Sequence, residues 1–404
     1  MKQPVRIPAA LTLVLASLLP LPSCADSIPE SRLSQWLPKI NGTIRAKGEY
    51  QTEERQGRFE VRNARVSLEN NDNAPIGYRA EIDLSDEGKI KMLDAYVGYR
   101  LISGMNIRLG QMRVPFSIDA HRSPHRQYFA NRSFIAKQVG NVRDVGLCLS
   151  YKFSNVPLSL EVGAFNGSGL TDQKDFWTNS FNFSAKAVYE PWHWLTLEGS
   201  VQRVSPNNHA IYLYDGGLGL HAAGWWIEGE MIRKHYANDA FKNVNAWNVM
   251  GGYTLGLHPR GRMGQETGIN ALRFLLRYDG MTDHSSGTID ENGTFKLTDA
   301  ERNRLTGGLT LSGSRGRINA ELRLNYEKYF YKKAALAKES ERDKLVMEAM
   351  VHFKRGAPTG YGSNGATQRS PITLITDFAD DRPHRNLRNP FLCGGASIKV
   401  GSLK

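Results

Sequence analysis

The stretch Ile76-Gly77-Tyr78-Arg79-Ala80-Glu81-Ile82-Asp83-Leu84 sets Ile76, Tyr78, Ala80, Ile82 and Leu84 against Arg79, Glu81 and Asp83 with a period of two. Successive side chains of a β-strand point to opposite faces, so this segment has one apolar side and one ionic side. The alternation returns in Leu93, Ala95, Val97, Tyr99 and Leu101 against Asp94, Tyr96 and Arg100, and in Val145, Leu147, Leu149 and Tyr151 against Asp144, Ser150 and Lys152. It returns again in Ile318, Ala320, Leu322, Leu324 and Tyr326 against Glu321, Arg323 and Glu327, and in Leu345, Met347, Ala349, Val351 and Phe353. A soluble antiparallel sandwich also alternates. Two features favour a barrel in lipid instead: repeats of about ten residues, and aromatic residues gathered near their ends, among them Tyr50, Tyr99, Tyr189, Trp225, Trp226 and Tyr278.

The first twenty-five residues read as an export signal. Lys2 and Arg6 give the charged start, Leu11 to Leu19 the apolar middle, and Ser23-Cys24-Ala25 the cleavage site before Asp26. Acylation of Cys24 is the alternative reading. Three cysteines in 404 residues exclude a disulfide scaffold, and mean hydropathy of −0.44 with no long apolar run excludes helical membrane spans. Export combined with two-faced strands points to the bacterial outer membrane. There an arginine on the lipid side costs roughly 2–4 kcal/mol at the midplane, so Arg79, Arg100 and Arg323 are expected to face the lumen.

The expected fold class is all-β, a transmembrane antiparallel β-barrel of sixteen strands over residues 40–353. The strands centre near Ala46, Arg65, Ala80, Tyr96, Ile107, Leu149, Leu160, Ala185, Leu197, Leu218, Glu228, Val249, Leu275, Leu309, Leu322 and Met347. In the second strand Phe59 and Val61 are out of phase with Ala64, Val66 and Leu68, which requires a bulge near Asn63. The patterns near Leu197, Leu218 and Glu228 are blurred. Residues 26–39 form a lead segment. Residues 354–404 lack alternation, are rich in Gly, Pro, Ser, Asn and Arg, and read as a disordered extension arising from a reading-frame change or read-through; a small periplasmic binding extension is the functional alternative.

Several stretches resemble the phosphate-selective porins O and P: Arg62-Asn63-Ala64-Arg65-Val66-Ser67-Leu68-Glu69, Leu93-Asp94-Ala95-Tyr96-Val97-Gly98-Tyr99-Arg100, Leu109-Gly110-Gln111-Met112-Arg113-Val114-Pro115-Phe116-Ser117, and Asn141-Val142-Arg143-Asp144-Val145-Gly146. The similarity covers residues from about 40 to 353, dense to residue 170 and weak afterwards except for the last strand. It implies a sixteen-stranded, trimeric, anion-preferring channel in the outer membrane, with phosphate or other small anions as solutes and no cofactor.

The residues make a parallel case. Between Phe116 and Arg143 the alternation stops, and Arg122, Arg126, Arg132, Lys137 and Arg143 face a single acid, Asp119. A loop of this length after the fifth strand is expected to fold inward as a constriction, where a ring of cations favours anions. The alternative is a surface loop whose cations bind lipopolysaccharide phosphates. Arg79, Arg100 and Arg108 form a candidate basic track along the lumen, or else pair with wall acids, and Asp94 is a candidate support that orients a loop arginine. No Gly-x-Ser-x-Gly elbow, His-Glu-x-x-His or paired-Cys cluster suggests an enzyme or a metal site. No basic helix or aromatic-interleaved RNA motif suggests nucleic acid, despite a formal charge of +12. A general or oligosaccharide-permeable porin and a non-conducting structural or adhesive barrel remain as alternatives.

Overall fold

The computed structural model describes residues 38–70, 74–86, 88–140, 143–170, 173–206, 209–257, 268–291, 294–333 and 336–355. The expected signal segment, almost all of the lead segment, and the extension beyond Arg355 lie outside the described residues.

Sixteen strands follow one another: β1 (Lys39–Gln51), β2 (Gln56–Glu69), β3 (Ile76–Asp86), β4 (Lys89–Ile102), β5 (Met105–Arg113), β6 (Arg143–Lys152), β7 (Leu158–Phe165) and β8 (Asn182–Trp192), then β9 (Leu195–Val204), β10 (Ile211–Ala222), β11 (Trp225–Tyr236), β12 (Val244–Gly256), β13 (Ala271–Met281), β14 (Arg302–Arg315), β15 (Ile318–Tyr331) and β16 (Lys344–Arg355). Every centre expected from the sequence falls inside its strand. Each strand pairs antiparallel with its sequence neighbours, and β16 returns to pair with β1 from Ile40↔Arg355 to Gln51↔Lys344, closing the barrel. Closure leaves no edge, and in lipid every backbone N–H and C=O must find a partner within the wall.

Facing follows polarity. Outward side chains stay open to the surroundings, as with Phe59 at 90%, Leu109 at 64% and Leu276 at 58% relative exposure. No soluble monomer exposes a continuous apolar belt of that kind, so the soluble all-β reading falls. Inward positions are ionic: Arg79, Arg108 and Arg323 occupy the lumen phase of their strands and bind carboxylates there, and Arg100 shares the inward phase of β4. Both described chain ends lie at one end of the barrel with the two-residue turns 103–104, 193–194, 223–224 and 316–317, while the links 114–142, 166–181, 282–301 and 332–343 crowd the opposite end. By the usual asymmetry of bacterial barrels the first end is periplasmic and the second extracellular.

The expected bulge is present. Arg45 pairs with Asn63 but Ala46 pairs with Val61, which leaves Arg62 as the extra residue and returns Phe59 and Val61 to the outer face. A second irregularity was not legible in the alternation: Glu81 pairs with Asp94 but Ile82 with Met92, so Leu93 is a bulge residue, buried rather than lipid-facing, and Met92 takes the outward position. Trp226 is also corrected. It points inward and stacks on Tyr128 at 3.8 Å between ring centroids, so it is no part of an outer aromatic girdle.

The closing seam carries a buried ionic chain. Glu348 on β16 accepts from Arg45 of β1 at 2.7 Å and from Arg323 of β15 at 2.8 Å, and Arg323 reaches Glu321 at 2.6 Å. On the outer face of the same seam, Gly42 gives the Phe353 ring room to lie flat across β1, since a Cβ on that glycine would overlap the ring. Removing one member of a buried pair costs about 3–5 kcal/mol because its partner charge is stranded. Glu348→Ala is expected to destabilise the barrel by roughly that amount, read as a lower urea midpoint of the lipid-inserted protein, with Glu348→Gln losing less. An unchanged midpoint would mean that water solvates Arg45 and Arg323 in the native state.

Candidate functional site

Residues 114–140 fold into the lumen, and nearly every residue from Val114 to Ala120 is buried. Two kinds of contact hold the loop. One is apolar: Phe116, Phe134, Ile135 and Val139 pack on Ile211, Leu213, Ile232, Val244, Ala246 and Met281, which are inward residues near the extracellular ends of β10 to β13. This dry patch explains why the strand patterns near Leu218 and Glu228 are blurred: on those strands the inward face is partly apolar too.

The other contact is polar and follows the loop backbone. Pro115 C=O accepts from Ser184 at 2.6 Å and Ser117 C=O from Lys186 at 3.0 Å. Glu230 of β11 accepts from Ser117 Oγ, from Ile118 N–H at 2.8 Å and from Asp119 N–H at 3.0 Å. Three successive residues are thus clamped by one carboxylate, with Ser117 held at φ +68°, a left-handed conformation unusual for a residue with a Cβ. Farther along, Ala130 C=O accepts from Arg45 at 2.7 Å, Asn131 C=O from Arg277 at 2.9 Å and Arg132 C=O from Arg304 at 2.7 Å, while Phe134 N–H donates to Asp279 at 2.9 Å. The loop therefore crosses the lumen from the β8–β11 wall to the seam, and wall arginines on β1, β13 and β14 spend donors on its backbone.

The five expected constriction residues fall into different settings. Arg122 is buried between Glu228 and Asp119, the latter at 3.3 Å, and lies over the Tyr128 ring. Burial works against its charge, but Glu228 and Asp119 more than offset that and raise its pKa above the ordinary value. Arg143 opens β6 and binds Asp94 at 2.7 Å and Glu81 at 3.4 Å, so Asp94 holds an arginine at the end of the loop. Lys137 is half-exposed and pairs with Glu341 at 2.6 Å. Arg126 is exposed next to His125, whose ring stacks on His352 at 4.0 Å.

Arg132 differs. Among the described residues it has no ion pair, and it lies within electrostatic reach of Arg65, Arg62 and Arg113 and of one acid, Asp119. Burial first, and then those three guanidiniums, push its pKa down to about 9, still charged at neutral pH. Three guanidiniums reach Arg132 against the single carboxylate of Asp119, and an excess of positive charge of that kind draws an anion. Arg62 is the β2 bulge residue, partly open to solvent and 4.0 Å from Glu60; Arg65 is paired with Asp83 at 2.8 Å; and Arg113 is buried at the start of the loop.

The candidate basic track is mostly paired. Arg79 is held by Glu69, Glu81 and Asp94, and Arg108 by Glu161 at 2.6 Å over the Tyr96 ring. Sequence reasoning did not single out Glu228, Glu230 or Asp279 as the loop's anchors, nor Arg62, Arg65 and Arg113 as the neighbours of Arg132. The readable signal for the first group was the inward phase of Glu228 and Glu230 on one strand with no basic residue between them.

Sixteen antiparallel strands closed on themselves, apolar outside, ionic inside and narrowed by a loop anchored in the lumen, define a porin of the bacterial outer membrane. Residues 41–194 match the family model of the phosphate-selective porins O and P, which takes in the part of the chain where the motif resemblance is dense. Solved structures share the fold at low identity. OmpF of Salmonella typhi, in complex with daunomycin, is 10% identical with a TM-score of 0.54, covering 78% of this chain and 96% of that one. The outer membrane channel DcaP of Acinetobacter baumannii is 13% identical with a TM-score of 0.50 over 78% and 96% of the two chains. OmpT of Vibrio cholerae, in trimer form, is 10% identical with a TM-score of 0.50 over 78% and 98%. No curated protein matches the sequence.

Proposed function

We propose that this porin gives passive diffusion of small anions, phosphate among them, in preference to cations, through a lumen narrowed by residues 114–140. The observation that carries the reading is the setting of Arg132, which makes no ion pair among the described residues and lies within electrostatic reach of Arg62, Arg65 and Arg113, with Asp119 as the one opposing acid. Most other inward cations are neutralised by wall carboxylates, so net positive potential is concentrated where the lumen is narrow. Arginine's planar fork suits phosphate or carboxylate, and a low-dielectric wall focuses its field. The barrel is further proposed to be a homotrimer, the form named for the fold-related OmpT.

The deciding measurement is the zero-current potential of the purified protein in planar bilayers across a KCl gradient, followed by addition of phosphate. An anion-selective potential with block by low phosphate is expected. Weak selectivity with block by oligosaccharides would replace this reading by that of a general porin, and absence of conductance by that of a structural barrel.

A further inference from the structure

The outer wall carries charge where lipid should forbid it. On β9 the outward phase runs Leu197, Gly199, Val201 and then Arg203; on β11 it runs Ile227, Gly229, Met231 and then Arg233 and His235. Both arginines lie at the extracellular ends of their strands. The register ties them into one patch: Arg203 faces Tyr212 and Tyr212 faces His235, while one step lower Tyr214 faces Arg233 and Arg233 faces Asn245. From strand spacing and rise, the Cα atoms of Arg203 and Arg233 are roughly 12 Å apart, within common reach of two arginine side chains, with the two tyrosines between them.

Neither arginine has a carboxylate partner among the described residues; Arg203 donates only to Phe181 C=O at 3.1 Å and to Ser180. The contrast is Lys328, outward at the same end of β15, which Asp343 neutralises at 3.0 Å. An unpaired cation on a lipid-facing surface is tolerated only near the interface, and best where the membrane supplies the anion. The outer leaflet supplies phosphorylated sugar headgroups at that depth. Arg forks, Tyr hydroxyls and the Asn245 amide are the donors that such phosphates accept from.

We propose that the extracellular end of the β9–β12 outer wall is a binding surface for the phosphorylated glycolipid headgroup of the outer leaflet, with Arg203 and Arg233 as its anion-binding residues. This rests on the outer-membrane location and is independent of the selectivity of the lumen, so a failure of anion preference leaves it standing.

Bisphosphorylated lipid A, or its dephosphorylated form, is titrated into the detergent-solubilised full-length protein, and bound lipid is counted by native mass spectrometry. Wild type is expected to prefer the bisphosphorylated form by at least about ten-fold, in line with charge-assisted hydrogen bonds. Arg203→Ser/Arg233→Ser should abolish the preference, while Lys242→Ser/Lys332→Ser, which removes rim cations already paired with Asp283 and Glu301, should retain it. The proposal fails if wild type shows no phosphate preference, if the arginine double variant keeps it, or if millimolar inorganic phosphate displaces the lipid, which would mark a site for the free anion. Equally, if the double variant splits an oligomer with its lipid preference intact, the face is a contact between copies of the chain.

Discussion

Replacing Glu230 by Ala is expected to raise the single-channel conductance several-fold and make the open current noisy, with little change in the urea midpoint of the barrel. The carboxylate accepts from Ser117 Oγ and from the N–H groups of Ile118 and Asp119, all buried. Each such hydrogen bond contributes about 0.5–1.5 kcal/mol, and donors stranded in a dry site add to the loss. Ser117, at φ +68°, would then be kept in its left-handed conformation only by the backbone ties to Ser200 and Lys186. The first turn of the loop should then leave the β9–β11 wall and fluctuate, widening the lumen, while the strand ladders that set global stability are untouched. Glu230→Gln keeps one acceptor but turns an amide NH2 toward backbone donors, so its conductance should fall between wild type and the alanine variant. If Glu230→Ala conducts with the same amplitude and noise as wild type, the apolar packing of Phe116, Phe134 and Ile135 and the ties of Pro115 and Ser117 to Ser184, Lys186 and Ser200 fix the loop, and the clamp is incidental.

The fold was almost fully legible in the sequence because lipid enforces a strict two-faced rule on each strand. That rule located all sixteen strands and the Arg62 bulge, since Phe59 and Val61 cannot share a face with Ala64 without an inserted residue. It failed where a local event cancels it: at Leu93 the register slips without disturbing the apolar alternation on either side, and at Trp226 an aromatic near a strand end packs on Tyr128 inside the lumen. The site was legible only by composition. A run of cations against Asp119 marked the loop between Phe116 and Arg143, but not which cations keep their charge unopposed. Pairing is set by carboxylates remote in sequence, Glu228 and Asp94 on strands for Arg122 and Arg143 and Glu341 in the link before β16 for Lys137, and nothing in the loop itself encodes those meetings. Arg122, one of the five expected constriction cations, is therefore a poor reporter of the field there. Reversing Arg122 would break a buried anchor with Glu228 and move the loop, so it no longer isolates charge from shape.

Arg132→Glu is the cleaner variant, and it should weaken or reverse chloride-over-potassium selectivity while leaving conductance of the same order. The side chain makes no ion pair among the described residues, and its backbone tie to Arg304 does not depend on the side chain. A charge acting on an ion about 7 Å away contributes about 0.6 kcal/mol even at the dielectric constant of bulk water, and more beside a low-dielectric wall. Changing +1 to −1 shifts the anion and cation energies in opposite directions, so the ratio of their occupancies should fall by at least about ten-fold after allowance for salt. The new carboxylate would also meet Arg62, Arg65 and Arg113, and pairing with them removes part of the positive potential that those residues supply. The control is Arg382→Glu in the C-terminal extension, an equal change of net charge outside residues 40–353, which should leave the zero-current potential unaltered. Arg132→Gln should give half the shift, since it removes one charge rather than two. Equal shifts from the Arg132 and Arg382 variants would show that selectivity follows total charge, and the constriction reading of the loop would be lost.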